Sequence, residues 1–211
     1  MKFDPQKFHR RSIRLKGYDY TQPGAYFVTM VTYQREDLFG EIMEGEMRLN
    51  WTGKQVKREW GRLARRFPNI ELDEFIVMPN HVHGIILIVD LGRGTATISE
   101  DEDLNGSRRA PTTANSEDID LTIPRRAPTN REQFGKPVPG SIPTIIRSFK
   151  SAVSLRVNRS RYSTGAPVWQ RKYFERVVRD QSELERIRAY IHHNPSQWAD
   201  DPENVQMRQN E

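Results

Sequence analysis

The chain has 211 residues, a formal charge of +5, 36% hydrophobic residues and a mean hydropathy of −0.79. That length suits one domain with a tail or an insertion and allows a real core, while the low apolar content predicts that part of the chain stays unfolded. The absence of cysteine excludes disulfides, thiolate metal sites and a cysteine nucleophile, and no apolar run approaches the ~20 residues of a membrane span.

In chain order, residues 1–24 read as a basic N-terminal arm. Its "HRRSIRLK" has no apolar stretch of the kind a signal peptide needs, so the expected location is the cytoplasm. "AYFVTMVTY" (25–33) is a β-branched and aromatic run entered through the turn residues "QPG", which predicts a strand. "LFGEIMEGEMRLN" predicts a short hairpin with Gly45 at its turn. Residues 52–67 predict a helix, opened by a Thr52/Gln55 capping box, with Val56, Trp60 and Leu63 along one face. "ELDEFIVM" (71–78) and "HVHGIILIV" (81–89) predict two strands joined by the turn residues Pro79 and Asn80.

Composition shifts after Asp90. Residues 91–140 are rich in Gly, Pro, Ser, Thr and Asn, and contain "RRAPT" twice, so they predict a disordered, low-complexity insertion. This stretch carries a net charge of −1, leaving +6 on the remainder and strengthening the case for a polyanionic partner. Residues 141–159 predict a helix with Pro143 in its first turn and Ile145, Phe149, Ala152 and Val153 as the buried stripe. "KYFERVV" predicts a short strand. A last helix opens with Asp180 and Glu183 as a capping pair and turns Leu184, Ile187 and Ile191 inward. With the hairpin set aside, the order strand, helix, strand, strand, helix, strand, helix predicts an α+β, ferredoxin-like antiparallel sheet with helices mostly on one face. Residues 25–90 and 141–200 would be its two parts, and 201–211 a tail.

Strand side chains alternate faces, so His81 and His83 should point the same way. Two such rings read equally as structural histidines, each satisfied by a carbonyl or solvent, and as two arms of a divalent-metal site that needs at least one more ligand. Tyr190 and Asn194 lie four residues apart on the last helix and hence roughly on one face. A tyrosine at the edge of an apolar stripe ordinarily completes its packing, and an asparagine before Pro195 commonly ends a helix. Between Arg147 and Arg179 there are nine basic residues against one acid, Glu175, interleaved with aromatics. Arg147, Lys150, Arg171 and Lys172 are candidates for phosphate contacts, and Trp169 and Tyr173 for stacking on unpaired bases, although Trp169 reads equally as core.

Three motifs in order, "MPNHVHGIILI", "VWQRKYFERVVRD" and "ERIRAYIHHNP", together with the opening "GYDYTQPGAYFVTMVTYQREDLFG", resemble the REP-associated tyrosine transposases, a branch of the single-tyrosine HUH superfamily. The resemblance spans residues 10 to 200 apart from the insertion, which is a departure from the family pattern. It implies that His81 and His83 are paired metal ligands, Asn194 the third ligand and Tyr190 the nucleophile. It also implies the ferredoxin-like fold, Mg²⁺ or Mn²⁺ as cofactor, and hairpin-containing single-stranded DNA as partner, cleaved and rejoined through a 5′-phosphotyrosine link. Three other readings remain open: a domesticated enzyme that nicks and joins without transposing, a non-catalytic module for single-stranded nucleic acid, and a metal-dependent hydrolase using water. Both monomer and homodimer fit the sequence.

Overall fold

A computed structural model describes residues 18–90 and 138–204. Most of the expected basic arm, nearly all of the expected insertion and the end of the expected tail lie outside the described residues.

Four strands form one antiparallel sheet: β1 (Gly24–Val31), β4 (Ile70–Val77), β5 (His81–Ile88) and β6 (Phe174–Val177), in the order β4-β5-β1-β6. With α1 (Trp51–Gly61) between β1 and β4, and α3 (Ile142–Ser160) between β5 and β6, this is the ferredoxin-like arrangement expected from the element order. β2 (Gly40–Met43) and β3 (Glu46–Leu49) make the separate hairpin, which turns on Glu44 and Gly45, both at positive φ. Two successive positive-φ residues match the twist of the flanking strands, which explains the glycine at the second.

Helices cover both faces. Val56, Trp60, Ile145, Phe149 and Val153 of α1 and α3 pack with Tyr26, Val28, Val82 and Ile86 on one side. Leu184 and Ile191 of α4 (Gln181–His193) pack with Ala25, Phe27, Ile85 and Leu87 on the other. All eight residues of β5 are therefore buried, which is why that strand reads as an apolar run rather than an alternation. Gly84 meets a steric demand there: a Cβ would lie 2.5 Å from the Trp60 ring, which stacks on Phe75 at 4.3 Å between centroids.

Two local expectations are corrected. Asn50, not Thr52, caps α1, its side chain accepting from the Gly53 N–H at 3.0 Å, while Thr52 is buried inside the first turn. The single helix expected over 52–67 divides at Arg62, whose N–H reaches back to Glu59 and Trp60, leaving the short α2 (Leu63–Arg66).

Glu59 joins these helices. Its carboxylate, 3% exposed, accepts from Arg62 Nη1 at 2.6 Å and Arg66 Nη2 at 3.0 Å and pairs with Arg156 Nε of α3 at 2.5 Å. Burial alone would raise this carboxyl's pKa. The hydrogen bond with Arg62 and the charge of Arg156 overcome that and hold it below the ordinary carboxylate range. Glu59→Gln removes the charge and keeps the shape, so a loss on the order of 1–3 kcal/mol in unfolding free energy is expected. Urea titration checks this, and an unchanged midpoint would show that the cluster does not hold α1 to α3.

Candidate metal and tyrosine site

Strand register places the histidines. Val31 and Thr29 of β1 lie opposite His81 and His83 of β5, and the turn Pro79–Asn80 that starts β5 is closed by the Met78 N–H to His81 carbonyl bond of 2.8 Å. Both imidazoles point to the α4 face, and their Nε2 atoms approach to 3.0 Å. Tyr190, at the start of the last turn of α4 and 40% exposed, has its Oη 3.2 Å from His83 Nε2. Asn194 ends α4, is buried, and gives its Nδ2 to Asp201 Oδ2 at 3.1 Å. His81, His83, Asn194 and Tyr190, separated by more than a hundred residues of sequence, are thus brought together, all within one chain.

The helix that carries Tyr190 is fixed at its N-terminus and again along its length. Asp180 caps it by accepting from the Glu183 N–H at 2.8 Å, the capping expected from sequence. Midway, Arg188 forks onto Asp73, with Nε 3.0 Å from Oδ1, and Asp73 sits where β4 changes register against β5. Arg–carboxylate forks of this kind fix orientation as well as distance.

Hydrogen bonds determine which nitrogens face the site. Asn80 Nδ2 donates to the carbonyls of Arg35 and Glu203, so its Oδ1 is the atom that accepts from His81 Nδ1–H at 2.9 Å. Neutral His81 therefore presents a bare Nε2. His83 Nδ1 lies 2.8 Å from Thr29 Oγ1, a hydroxyl able to donate or accept. With its proton on Nε2, His83 donates to His81. With it on Nδ1, His83 donates to Thr29, accepts from the Tyr190 hydroxyl, and leaves two bare Nε2 atoms facing each other, which a cation between them would stabilise.

The residues fit a divalent ion. An Nε2 separation of 3.0 Å matches adjacent corners of an octahedron with metal–ligand bonds of about 2.1 Å. Asn194 Oδ1 is buried with no hydrogen-bond partner, an orphaned acceptor beside the imidazoles. His81, His83 and Asp201 form a buried cluster whose ligand atoms all lie within 4.8 Å, with Asp201 Oδ2 3.9 Å from His81 Nε2. Sequence reasoning missed Asp201 by ending the catalytic part at residue 200. In "ADDPENV" it is one acid among several, and only the 3-10 turn Pro195–Asp200, which folds Trp198 over His81, brings it in.

Burial lowers the pKa of His81, against the raising effect of Asp201, and of His83, where the neighbouring His81 adds to the effect. Unfolded imidazoles take up protons near ~6.5, whereas the folded ones do so only at lower pH. The unfolded state thus binds more protons in that window, and stability falls as pH drops below ~6.5. The urea midpoint is expected to be lower at pH 5 than at pH 7, with a smaller difference in a His81→Gln/His83→Gln protein. Equal pH dependence in the two proteins would contradict the neutral, buried pair. Burial and the charge of Asp201 raise the Tyr190 phenol, with Asn194 acting in the opposite direction, so the hydroxyl is protonated at neutral pH.

The basic surface candidates separate. Arg147 and Arg171 are exposed at the rim of a cavity of about 450 Å³ between α3 and residues 166–173, Tyr173 is half-buried in its wall, and Lys172 is exposed next to Arg171 in the chain. Lys150 instead donates to the Gln170 and Arg171 carbonyls, and burial lowers its pKa to about 8, so it fastens that segment to α3. Trp169 is 6% exposed and packs on Phe39 and Phe149. It belongs to the core, which corrects its assignment to base stacking. The nine basic residues of 147–179 are further reduced as a free surface by Arg156, on Glu59, and Arg176, on Glu183.

Among the described residues no helix is long and apolar enough to cross a membrane. No family model matches the chain. Two solved structures are similar to it at a low level. One is a REP-associated tyrosine transposase bound to a REP hairpin, 14% identical, covering 88% of this chain and 78% of that one with a TM-score of 0.49. The other is a candidate transposase from Deinococcus radiodurans, 15% identical, covering 85% and 95% with a TM-score of 0.40. Likeness at that level does not carry an activity from one chain to another. A protein of Haemophilus influenzae described as uncharacterized is 34% identical over 200 residues, 95% of this chain and 96% of its own length. On that extent of identity, the chain belongs to the same family as the Haemophilus influenzae protein.

Proposed function

We propose that this protein is a single-tyrosine transposase or endonuclease of the REP-associated HUH type, which cleaves and rejoins hairpin-bearing single-stranded DNA through a 5′-phosphotyrosine link. One observation carries the reading: the Tyr190 hydroxyl lies 3.2 Å from His83 Nε2, beside a second converging imidazole and the orphaned Asn194 oxygen. A structural histidine pair would not require an exposed tyrosine and a buried, unpaired amide oxygen to converge on it. The motifs around these residues resemble that transposase family independently of the geometry.

His81, His83 and Asn194 would hold Mg²⁺ or Mn²⁺, with Asp201 either completing the set or orienting Asn194 through its amide. Bound there, the ion would polarise the scissile phosphate and neutralise charge as the bond exchanges. Tyr190 Oη attacks phosphorus, the bond to the 3′-oxygen breaks, the phenol proton leaves to water, and the 3′-oxygen gains a proton. The product retains a phosphodiester's reactivity, so a second 3′-hydroxyl can displace the tyrosine and join strands without a nucleotide cofactor. Asp73–Arg188 and the Asp180 cap would hold the helix so that the hydroxyl stays in reach, which matters because a misplacement of about 1 Å can cost ~10²-fold. Arg147, Arg171 and Lys172 would contact phosphates beyond the site. Since one chain supplies every residue, a monomer suffices for the chemistry.

Incubation with a hairpin bearing single-stranded flanks, in Mn²⁺, tests this on a denaturing gel. The expected result is a protein–DNA adduct from the hairpin substrate and none from a blunt duplex. Turnover with no adduct would support a hydrolase using water instead.

A further inference from the structure

A groove of about 320 Å³ opens beside Tyr190 on the α4 face. Its volume falls at the lower end of small-ligand sites, roughly 300–1,000 Å³. Phe27 forms the floor. Its ring stacks on His83 at 5.5 Å between centroids and meets Phe174 and Tyr190 edge-on, each at 6.2 Å. Ile187 of α4 closes one side. Phe174, on edge strand β6, is 40% exposed, a large apolar ring held at the mouth. Arg186 and Arg176 supply cationic walls, and the buried Glu183, paired with Arg176, holds that guanidinium in place.

We propose that this groove is a nucleobase subsite for a nucleotide flanking the scissile phosphate, with Phe174 stacking on the base and Arg186 contacting the adjoining phosphate. The inference rests on the strand-transfer reading of Tyr190 and adds the substrate contact that positions the strand. Two features favour an unpaired nucleotide as occupant. An exposed aromatic ring flanked by arginines matches the combination of π-face and phosphate that single strands present. The groove is also continuous with the site, because Tyr190 is part of its wall, so a base seated on Phe174 brings its own phosphate toward the hydroxyl. A paired base has its faces covered by neighbours in the stack and cannot enter. The groove therefore selects single-stranded DNA at the point of cleavage whatever the basic rim contacts elsewhere.

The test uses the full-length protein and hairpin oligonucleotides with one 2-aminopurine walked through the unpaired flank. Fluorescence is read without divalent ion, and adduct formation is read with Mn²⁺. The expected result is a probe position whose fluorescence is quenched by the native protein. Phe174→Ala loses the quench and slows adduct formation about tenfold, Phe174→Trp retains both, and Arg186→Gln lowers the slope of log affinity against log salt by about one. An abasic nucleotide at that position should reproduce the Phe174→Ala defect. Adducts that form at the native rate in Phe174→Ala, with abasic flanks tolerated, would overturn the subsite while leaving the role of Tyr190 intact. Quenching that depends on Phe174 with no adduct under any condition would uphold the subsite and overturn the strand-transfer reading. Absence of both would overturn both.

Discussion

Tyr190→Phe should abolish adduct formation and strand cleavage while leaving the fold in place. The ring retains its contacts with Phe27 and His83. The variant loses only the hydroxyl and its bond to His83 Nε2, worth about 0.5–1.5 kcal/mol to stability. The chemical consequence is much larger, because no other oxygen stands where the hydroxyl does; losing a nucleophile costs on the order of 10⁴–10⁶ in rate. Three other tyrosines are poorly placed for the same role. Tyr26 is fully buried, donates to the Gln22 carbonyl at 2.8 Å, and has its pKa driven up by burial. Tyr162 is 98% exposed, beyond the end of α3, and Tyr173 lines the cavity beside α3. Single-turnover gels with equal protein loading, alongside circular dichroism, check this expectation. Native-rate adducts in the Phe variant would remove Tyr190 from the chemistry.

His81→Ala and His83→Ala should each lower cleavage by about three orders of magnitude, the equivalent of roughly 4 kcal/mol of lost charge stabilisation. Affinity for the uncleaved hairpin should remain within a few-fold, since the phosphate contacts proposed for Arg147, Arg171 and Lys172 lie elsewhere. Each change also opens a buried cavity, so some loss of stability is expected and must be measured beside activity. Asn194→Ala should weaken the dependence on divalent ion. His193→Ala should not, because His193 is exposed and hydrogen-bonds the Ala189 carbonyl at 2.7 Å. Asp201→Asn separates the two roles open to that carboxylate. A large rise in the Mn²⁺ concentration needed for half-maximal cleavage marks a ligand. A smaller change, about 10- to 100-fold in metal affinity, marks a group that orients Asn194.

The sequence made the fold's order legible because each element carried its own signal: a β-branched and aromatic run in β1, 3.6-residue spacing in α3 and α4, and turn residues between β4 and β5. It did not show that helices cover both faces of the sheet. The uninterrupted apolar run of β5 was the available signal for that, and it also placed the histidines in a buried strand. Spacing put His81 with His83 on one strand face and Tyr190 with Asn194 on one helix face, but only the resemblance to the transposase family joined the two pairs into one constellation. Asp201, Thr29 and Asn80 were not, since each acts through contacts that exist only once distant segments meet. Asn80 was read as a turn residue, and its position in the turn is what carries its side chain to His81. The basic run misled in the opposite way. A one-dimensional charge count cannot distinguish Arg171, exposed at a rim, from Arg156, which neutralises a buried glutamate, or show that Trp169 fills the core.

Strand transfer by the proposed route requires a covalent bond between Tyr190 and DNA. The most direct measurement is proteolysis of the protein–DNA adduct, nuclease trimming, and mass spectrometry of the modified peptide. The expected result is a single nucleotide linked through its 5′-phosphate to Tyr190, in the peptide that also contains Ile191 and His192, with an unblocked 3′-hydroxyl on the released strand. A nucleotide on Tyr26, Tyr162 or Tyr173, or cleaved DNA with no modified peptide, would contradict the account.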